Sequence, residues 1–259
     1  MSPYLFIPLV SWAALALIMT LVFVWALRIK NYGVVDVFWA FDFLVIAVIT
    51  WLLADGFALR KHLVCGLAAL WSLRLGLYLS KRVLGHLHEE EGRYKQLRSE
   101  WSTAKFFIFF QMQAFSNVVL SIPFFIIALN KTEGLSIVEY AGAALWLISI
   151  CGEGLADRQL QQFKKDPANK GKVCQAGLWN YSRHPNYFFQ LSIWISVLIF
   201  ALPSPYGWLA VICPLSIGFL IFKVTGIPMT EEQSLRSKGE AYKEYQRTTS
   251  VFVPLPKKK

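Results

Sequence analysis

The run Gly177-Leu-Trp-Asn-Tyr-Ser-Arg-His-Pro-Asn-Tyr187 gathers two amides, a guanidinium, an imidazole and two phenols where a hydrophobic segment is about to begin. Pro185 suits the first position of a helix, so Ser182 and His184 fall near that helix's N-terminus, where backbone N–H groups attract anions. Asn186 falls in the first turn. A carboxamide both donates and accepts hydrogen bonds, so Asn186 can pair with a ligand carboxamide such as that of nicotinamide. Arg183 can meet phosphate, or it can only mark topology. A mere connection between segments needs a turn and some flanking charge, and this run offers much more.

Other polar residues fall inside apolar stretches: Asp36, Asp42, Arg74, Gln111, Gln113, Asn117 and Glu153. An ionisable group at membrane depth is costly and is a functional candidate by default. A structural ion pair, for example Asp36 with Arg74, is the plainer alternative. Glu153, Asp157, Gln161 and Lys164 follow one another at spacings of four, four and three, which sets them on one helical face. Acid at one end and base at the other suits a ligand with a ribose or amide at one end and phosphates at the other. A solvated helix end gives the same pattern. Gly152-Glu-Gly154 begins a dinucleotide fingerprint without completing it, and no βαβ unit surrounds it. In the tail, Thr230 is a candidate N-cap, with Glu231 and Glu232 in the first turn. Tyr242, Tyr245, Arg236 and Arg247 then either close over a cofactor or belong to a helix lying on the membrane surface.

The elements that must position these groups are membrane helices. The chain has 259 residues, 56% hydrophobic and 16% charged, against about 25% charged in a soluble domain. Seven windows are apolar enough to span, at 3–27, 32–54, 61–80, 105–129, 136–155, 185–202 and 206–224, given a need for roughly 20 residues each. The expected fold is therefore all-α: a polytopic bundle of seven transmembrane helices with cytosolic loops and a short amphipathic C-terminal tail. It forms one domain over 1–259, four spans in 1–135 and the remainder in 136–259. The net charge of +10 is concentrated after the first, third, fifth and seventh windows, so it sets topology with the C-terminus cytosolic and does not imply a nucleic-acid partner. The lysines at 257–259 resemble a retrieval signal loosely. Cys65, Cys151, Cys174 and Cys213 are scattered, which points to neither a disulfide frame nor a metal site. The first window is too long for a signal-peptide core and lacks a preceding basic region, so it is expected to be retained.

From about Asp157 to Tyr187 and from Gly226 to Pro254, and also at Asn31-Tyr-Gly-Val-Val-Asp-Val-Phe-Trp39 and Leu73-Arg-Leu75, the chain resembles the membrane reductases with a steroid 5-alpha-reductase C-terminal domain, in their less characterised branch. The resemblance implies a seven-helix bundle holding NADPH in a cytosol-facing cavity and passing hydride to a polarised carbon–carbon double bond of a steroid, sterol or isoprenoid enone. It implies a cofactor face made of Arg74, Tyr78, Asp157, Gln161, Lys164, Tyr181 and Asn186. Where that family usually has Glu and, just before it, Gly, this chain has Gln190 and Phe189; Gln190 can still bond a carboxamide. Trp71 stands where steroid reductases carry their catalytic Tyr, and their Gln-Glu pair is absent.

Hydride attack on an enone builds charge on the carbonyl oxygen, and a proton donor beside it stabilises the transition state. A carboxylic acid enclosed by apolar groups can serve. Asp36 is the first candidate and Asp42 the second, with Trp39 and Trp71 as flat walls for the lipid. Lys164, Lys165, Lys170 and Lys172 favour NADPH over NADH, because a 2′-phosphate adds charge for them to meet. Two other readings stay open. One is an S-adenosylmethionine-dependent membrane methyltransferase, since prenyl-cysteine methyltransferases also have an Arg-His-Pro-x-Tyr motif and a Glu-Glu tail. The other is a noncatalytic lipid-binding membrane protein. The expected setting is a bacterial inner membrane or the endoplasmic reticulum, with no obligate protein partner.

Overall fold

Backbone groups in lipid must find partners within the chain, and a helix supplies them along its own length. The computed structural model describes residues 1–87, 90, 92–224 and 226–257. Among these there is no strand, only a parallel bridge between Ser182 and Ser250. The lysines at 258 and 259 lie outside the described residues.

Among the described residues, six helical runs are long and apolar enough to cross a membrane. They are α1 (Pro3–Ile29), α2 (Val34–Leu53), α3 (Ala58–Val83), the run Thr103–Leu129, α7 (Ile137–Lys165) and the run Gly207–Lys238. The remaining expected window forms α8 (Pro185–Ala201), which has only 17 residues. At 1.5 Å per residue it reaches about 25 Å, short of a hydrocarbon core of about 30 Å. The count is thus six full-length candidates and one shorter apolar helix, where seven spans were expected.

The chain divides into two units, Met1–Ser136 with Ala201–Leu209, and Ile137–Phe200 with Ala210–Lys259. In the first, the window expected as a single span at 105–129 is two helices, α5 (Thr103–Leu120) and α6 (Ile122–Leu129). Pro123 has no N–H for the ladder, and the break falls at Ser121, whose own N–H reaches Asn117 O at 3.0 Å. α2 and α3 approach closely because Gly76 has no side chain; a Cβ there would lie 2.6 Å from the Phe41 ring. A charged helix that the apolar windows did not anticipate, α4 (Gly92–Glu100), follows α3.

Each end of this unit is clasped by side chains. At one, Glu90 accepts the Tyr32 N–H at 2.8 Å and pairs with Arg98 at 2.8 Å, while Arg98 also donates to Lys30 O. At the other, buried Arg60 donates to the carbonyls of Asn130, Thr132 and Gly134 at 3.2, 2.6 and 2.6 Å.

In the second unit α7 and α8 run antiparallel. A Cβ on Gly142 would lie 2.7 Å from Phe200 N, and one on Gly152 would lie 2.4 Å from the Phe189 ring. Ten residues along α7 thus correspond to eleven back along α8. The chain then passes through α9 (Ile212–Phe219) and a widened π turn, Leu220–Val224. Two polar helices follow, α10 (Ile227–Lys238) and α11 (Glu240–Thr248). α10 begins three residues before the expected cap: Thr230 is already helical and its hydroxyl donates back to Gly226 O at 2.8 Å. With Glu231, Glu232, Arg236 and Lys238 in its sequence, α10 lies past the apolar stretch that ends by Val224.

Candidate functional site

The register of α7 on α8 carries Asp157 to the first turn of α8, as the close approach of Gly152 to Phe189 requires. Asp157 is buried, and the Asn186 amide nitrogen lies 3.5 Å from its Oδ1. The other end of that amide has no such contact. Asn186 Oδ1 is buried, with no hydrogen-bond partner among the described residues. Glu153 is buried one turn earlier on α7, and Gln190 is half-buried one turn later on α8. Toward the end of α7, Gln161 is half-buried and Lys164 lines a cavity of about 400 Å³. The expected face of Glu153, Asp157, Gln161 and Lys164 therefore exists as one stripe, with Asn186 brought to it.

The turn that precedes α8, Gly177–Asn180, is fixed on α7 by side-chain bonds. Trp179 Nε1 donates to Ala156 O at 2.9 Å, and Gln159 Oε1 accepts from Leu178 N at 2.9 Å. Gly177 adopts φ +55°, a left-handed conformation that favours glycine, and a Cβ there would lie 2.2 Å from the Gln159 amide. Ser182 Oγ accepts from His184 N at 3.1 Å, which places it just before α8 as expected.

The C-terminal tail lies along the same motif. Arg183 N donates to Ser250 O, Leu255 N to Tyr181 O, and Ser182 Oγ to Phe252 O. Tyr245 is buried, and its hydroxyl donates to Trp179 O and Ser182 O. The Arg183 guanidinium is committed to the tail: Nε and Nη2 go to Glu231, and Nη1 goes to the carbonyls of Gln246 and Thr249 at 3.0 and 2.7 Å. His184 Nε2 also lies 3.0 Å from Glu231 Oε1. Burial alone pushes the Glu231 carboxyl up. The hydrogen bonds from His184, Arg183 and Gln246 outweigh it and hold the group at about 2. Burial pushes the Tyr242 and Tyr245 phenols up as well.

Arg183 is thus a clasp. Tyr242 and Tyr245 are buried supports, whereas Arg236 and Arg247 are exposed and pair with Glu232 and Glu244. Tyr181 is 46% exposed beside this clasp. The hub, Glu231, was legible in the sequence only as a helix-start acid. Its true signal is an acid at hydrogen-bonding distance from an Arg-His pair 47 and 48 residues earlier.

The other expected site residues belong to the first unit. Asp36 Oδ1 accepts the Tyr94 hydroxyl at 2.8 Å, and its Oδ2 lies 3.8 Å from Arg82. Asp42 is 1% exposed and accepts from Asn117 Nδ2 at 3.2 Å. Asn117 also donates to Trp39 O at 3.0 Å, and its own oxygen has no partner among the described residues. These neighbours of the two acids differ: Tyr94 and Arg82 for Asp36, Asn117 for Asp42. Arg74 and Tyr78 are half-buried, one turn apart on α3. Trp39 and Trp71 flank Phe43, with ring centroids 5.2 and 5.0 Å away, and Trp71 is fully enclosed.

A protein family described as "protein of unknown function (DUF1295)" matches residues 22–249. No curated protein and no solved structure matches the chain.

Proposed function

The chain belongs to the DUF1295 family, and on that premise we propose that it is a membrane reductase using NADPH to reduce a polarised carbon–carbon double bond in a steroid, sterol or isoprenoid enone. The observation that carries this reading is the Asn186 carboxamide. Its oxygen is buried with no partner among the described residues, and its nitrogen is only loosely bonded to Asp157. A buried acceptor left unfilled costs free energy, and a carboxamide ligand supplies the missing donor while accepting from Asn186 in return. The stripe from Asp157 through Gln161 to Lys164 then fits the remainder of a dinucleotide, with hydroxyls at the acid and phosphates at the base. The resemblance to the steroid 5-alpha-reductase C-terminal domain runs through these same residues, and Tyr181 and Gln190 flank them.

NADPH held by Asn186, Asp157, Gln161 and Lys164 would supply a hydride, and a substrate carbonyl oxygen that takes up the resulting negative charge would need a proton donor beside it. The chain's own part is to present a proton there. Asp36 is engaged by a phenol and an arginine. Asp42 has only an amide as hydrogen-bond partner among the described residues, and it becomes the first candidate. Arg183, spent on the tail, holds the first turn of α8 in place and is no longer assigned to a phosphate. The basic loop at 164–172 is proposed to face the cytosol, following the charge bias of membrane proteins.

Titration of the purified chain in nanodiscs with NADPH and with S-adenosylmethionine, followed by single-turnover oxidation of NADPH with a panel of enone lipids, tests the proposal. Saturable NADPH binding and oxidation that depends on the lipid are expected. Binding of S-adenosylmethionine alone would make the chain a methyltransferase, and binding of neither would make it a noncatalytic lipid-binding protein.

A further inference from the structure

The cavity of about 400 Å³ at the end of α7 is lined by Lys164, Lys165, Lys170, Lys172 and Lys238. These come from three places in the sequence: the last turn of α7, the loop after it, and the last residue of α10. A run of lysines placed for topology alone has no reason to recruit Lys238 from 74 residues beyond Lys164. The other basic residues of the tail behave differently. Arg236, Lys243 and Arg247 each pair with a carboxylate three or four residues away. Among the described residues, none of the five cavity lysines pairs with one. The single acid on the cavity wall, Asp166, already accepts from Ala168 N at 2.9 Å and from Asn169 Nδ2 at 3.4 Å. Lys238 is held below its ordinary basicity, by burial first and then by the charge of Lys164. Like charges crowded into a concave, half-enclosed place are a cost that an anion of high charge density removes.

We propose that this cavity binds a phosphate monoester dianion, with Lys164 of α7 and Lys238 of α10 as its two principal contacts. A monoester carries close to two negative charges at neutral pH, whereas a diester carries one, and only the former matches so many unpaired ammonium groups. Lysine meets phosphate as a compact point charge from any direction, which suits contacts arriving from separate elements. The same dianion occurs on the 2′-position of NADPH and in the head group of phosphatidate. With the first source, the inference rests on the NADPH reading and adds Lys238 as a residue that distinguishes NADPH from NADH. With the second, it stands without that reading.

The test uses the full chain in nanodiscs of phosphatidylcholine, as the wild type and as Lys164→Gln, Lys238→Gln and the control Lys243→Gln. Calorimetry measures NADPH and NADH affinity. Mass spectrometry measures protection of each lysine from acetylation when phosphatidate or phosphatidylglycerol is added to the disc. The expected result is NADPH binding tighter than NADH by about tenfold or more. That margin should be lost in Lys164→Gln and in Lys238→Gln, kept in Lys243→Gln, with NADH affinity unmoved. If no dinucleotide binds while phosphatidate, and not phosphatidylglycerol, protects Lys164 and Lys238, the dianion site stands and the NADPH reading fails. Equal affinity for NADPH and NADH together with no selective protection by phosphatidate overturns the site, even if dinucleotide binding itself survives.

Discussion

Asn186 differs from an ordinary helix-start asparagine in where its oxygen points: a cap accepts from its own helix's N–H groups, and this oxygen accepts from nothing among the described residues. Asn186→Ala is therefore expected to weaken NADPH binding by about tenfold or more and to leave the unfolding temperature within a degree or two. A large drop in unfolding temperature with unchanged affinity would return Asn186 to a structural role. Glu231 is the reverse case, a residue whose bonds are all internal. Removing its charge leaves the Arg183 guanidinium, 10% exposed, without its carboxylate. For a fully buried pair that costs about 3–5 kcal/mol; partial exposure and the bonds a Gln retains reduce it to about 1–3 kcal/mol. The carboxyl sits at about 2 against an ordinary 4.5, so its stabilisation is complete above pH 4.5 and is lost as pH falls toward 2. Thermal unfolding of the wild type should fall more steeply between those values than that of Glu231→Gln. The two acids of the first unit are expected to respond differently to substitution. Asp42→Asn should lower turnover by about 10²–10⁴, the range of general acid catalysis, with NADPH still bound. Asp36→Asn, at a carboxylate that accepts from Tyr94 and lies 3.8 Å from Arg82, should change turnover little. A single-turnover assay in which Asp36→Asn alone is slow would restore the assignment made from sequence.

At the scale of elements, the α7–α8 pair rests on two glycines. Gly142→Ala drives a methyl into the Phe200 backbone, which cannot move without shifting α8. Gly152→Ala meets the Phe189 ring, which can turn. Both overpack the contact, at about 1–3 kcal/mol, and Gly142→Ala should be the worse. Phe189→Ala added to Gly152→Ala should restore part of the loss, whereas it should do nothing for Gly142→Ala. Equal losses with no rescue would mean that α7 and α8 do not meet in this register. The sequence made the apolar helices legible, because length and low charge alone decide them. It also made the start of α8 legible, because Pro185 and the Ser182 hydroxyl act locally. The stripe of Asp157, Gln161 and Lys164 was legible through helical spacing. The break at Ser121 was not, since Pro123 reads as one residue within an apolar run. Nor was the tail strap. Its bonds run from Tyr181, Ser182 and Arg183 to backbone groups of Ser250, Phe252 and Leu255, and a backbone carbonyl leaves no mark in the residue types. The Glu231 partner of Arg183 was hidden for the same reason: a guanidinium looks alike in sequence whether its partner is a phosphate or a glutamate 48 residues away.

For the whole molecule, the remaining question is which side of the membrane each end faces. In the first unit the end that holds Lys30, Arg82 and Arg98 also carries Lys81, Lys95 and Lys105 nearby in sequence. The opposite end has few basic residues, and they are spent: Arg60 on three carbonyls, Lys61 on Ala54 O, and Lys131 on Asp55 at 2.6 Å. Retained positive charge is what orients a membrane protein, so the first end is expected in the cytosol. Gln96 on α4 and Thr132 beyond α6 are exposed and lie at the two ends. Cysteines placed there, Gln96→Cys and Thr132→Cys, in a background of Cys151→Ser, leave only buried native thiols as competitors. In sealed vesicles of known orientation, a membrane-impermeant maleimide should label Thr132→Cys from the outside and Gln96→Cys only after the bilayer is opened. Labelling of both from one side would mean that α1, α2, α3 and the α5–α6 run do not make four crossings. Labelling from opposite sides in the reverse sense would keep the crossings and turn this unit over, with the end that holds Lys30, Arg82 and Arg98 facing away from the cytosol.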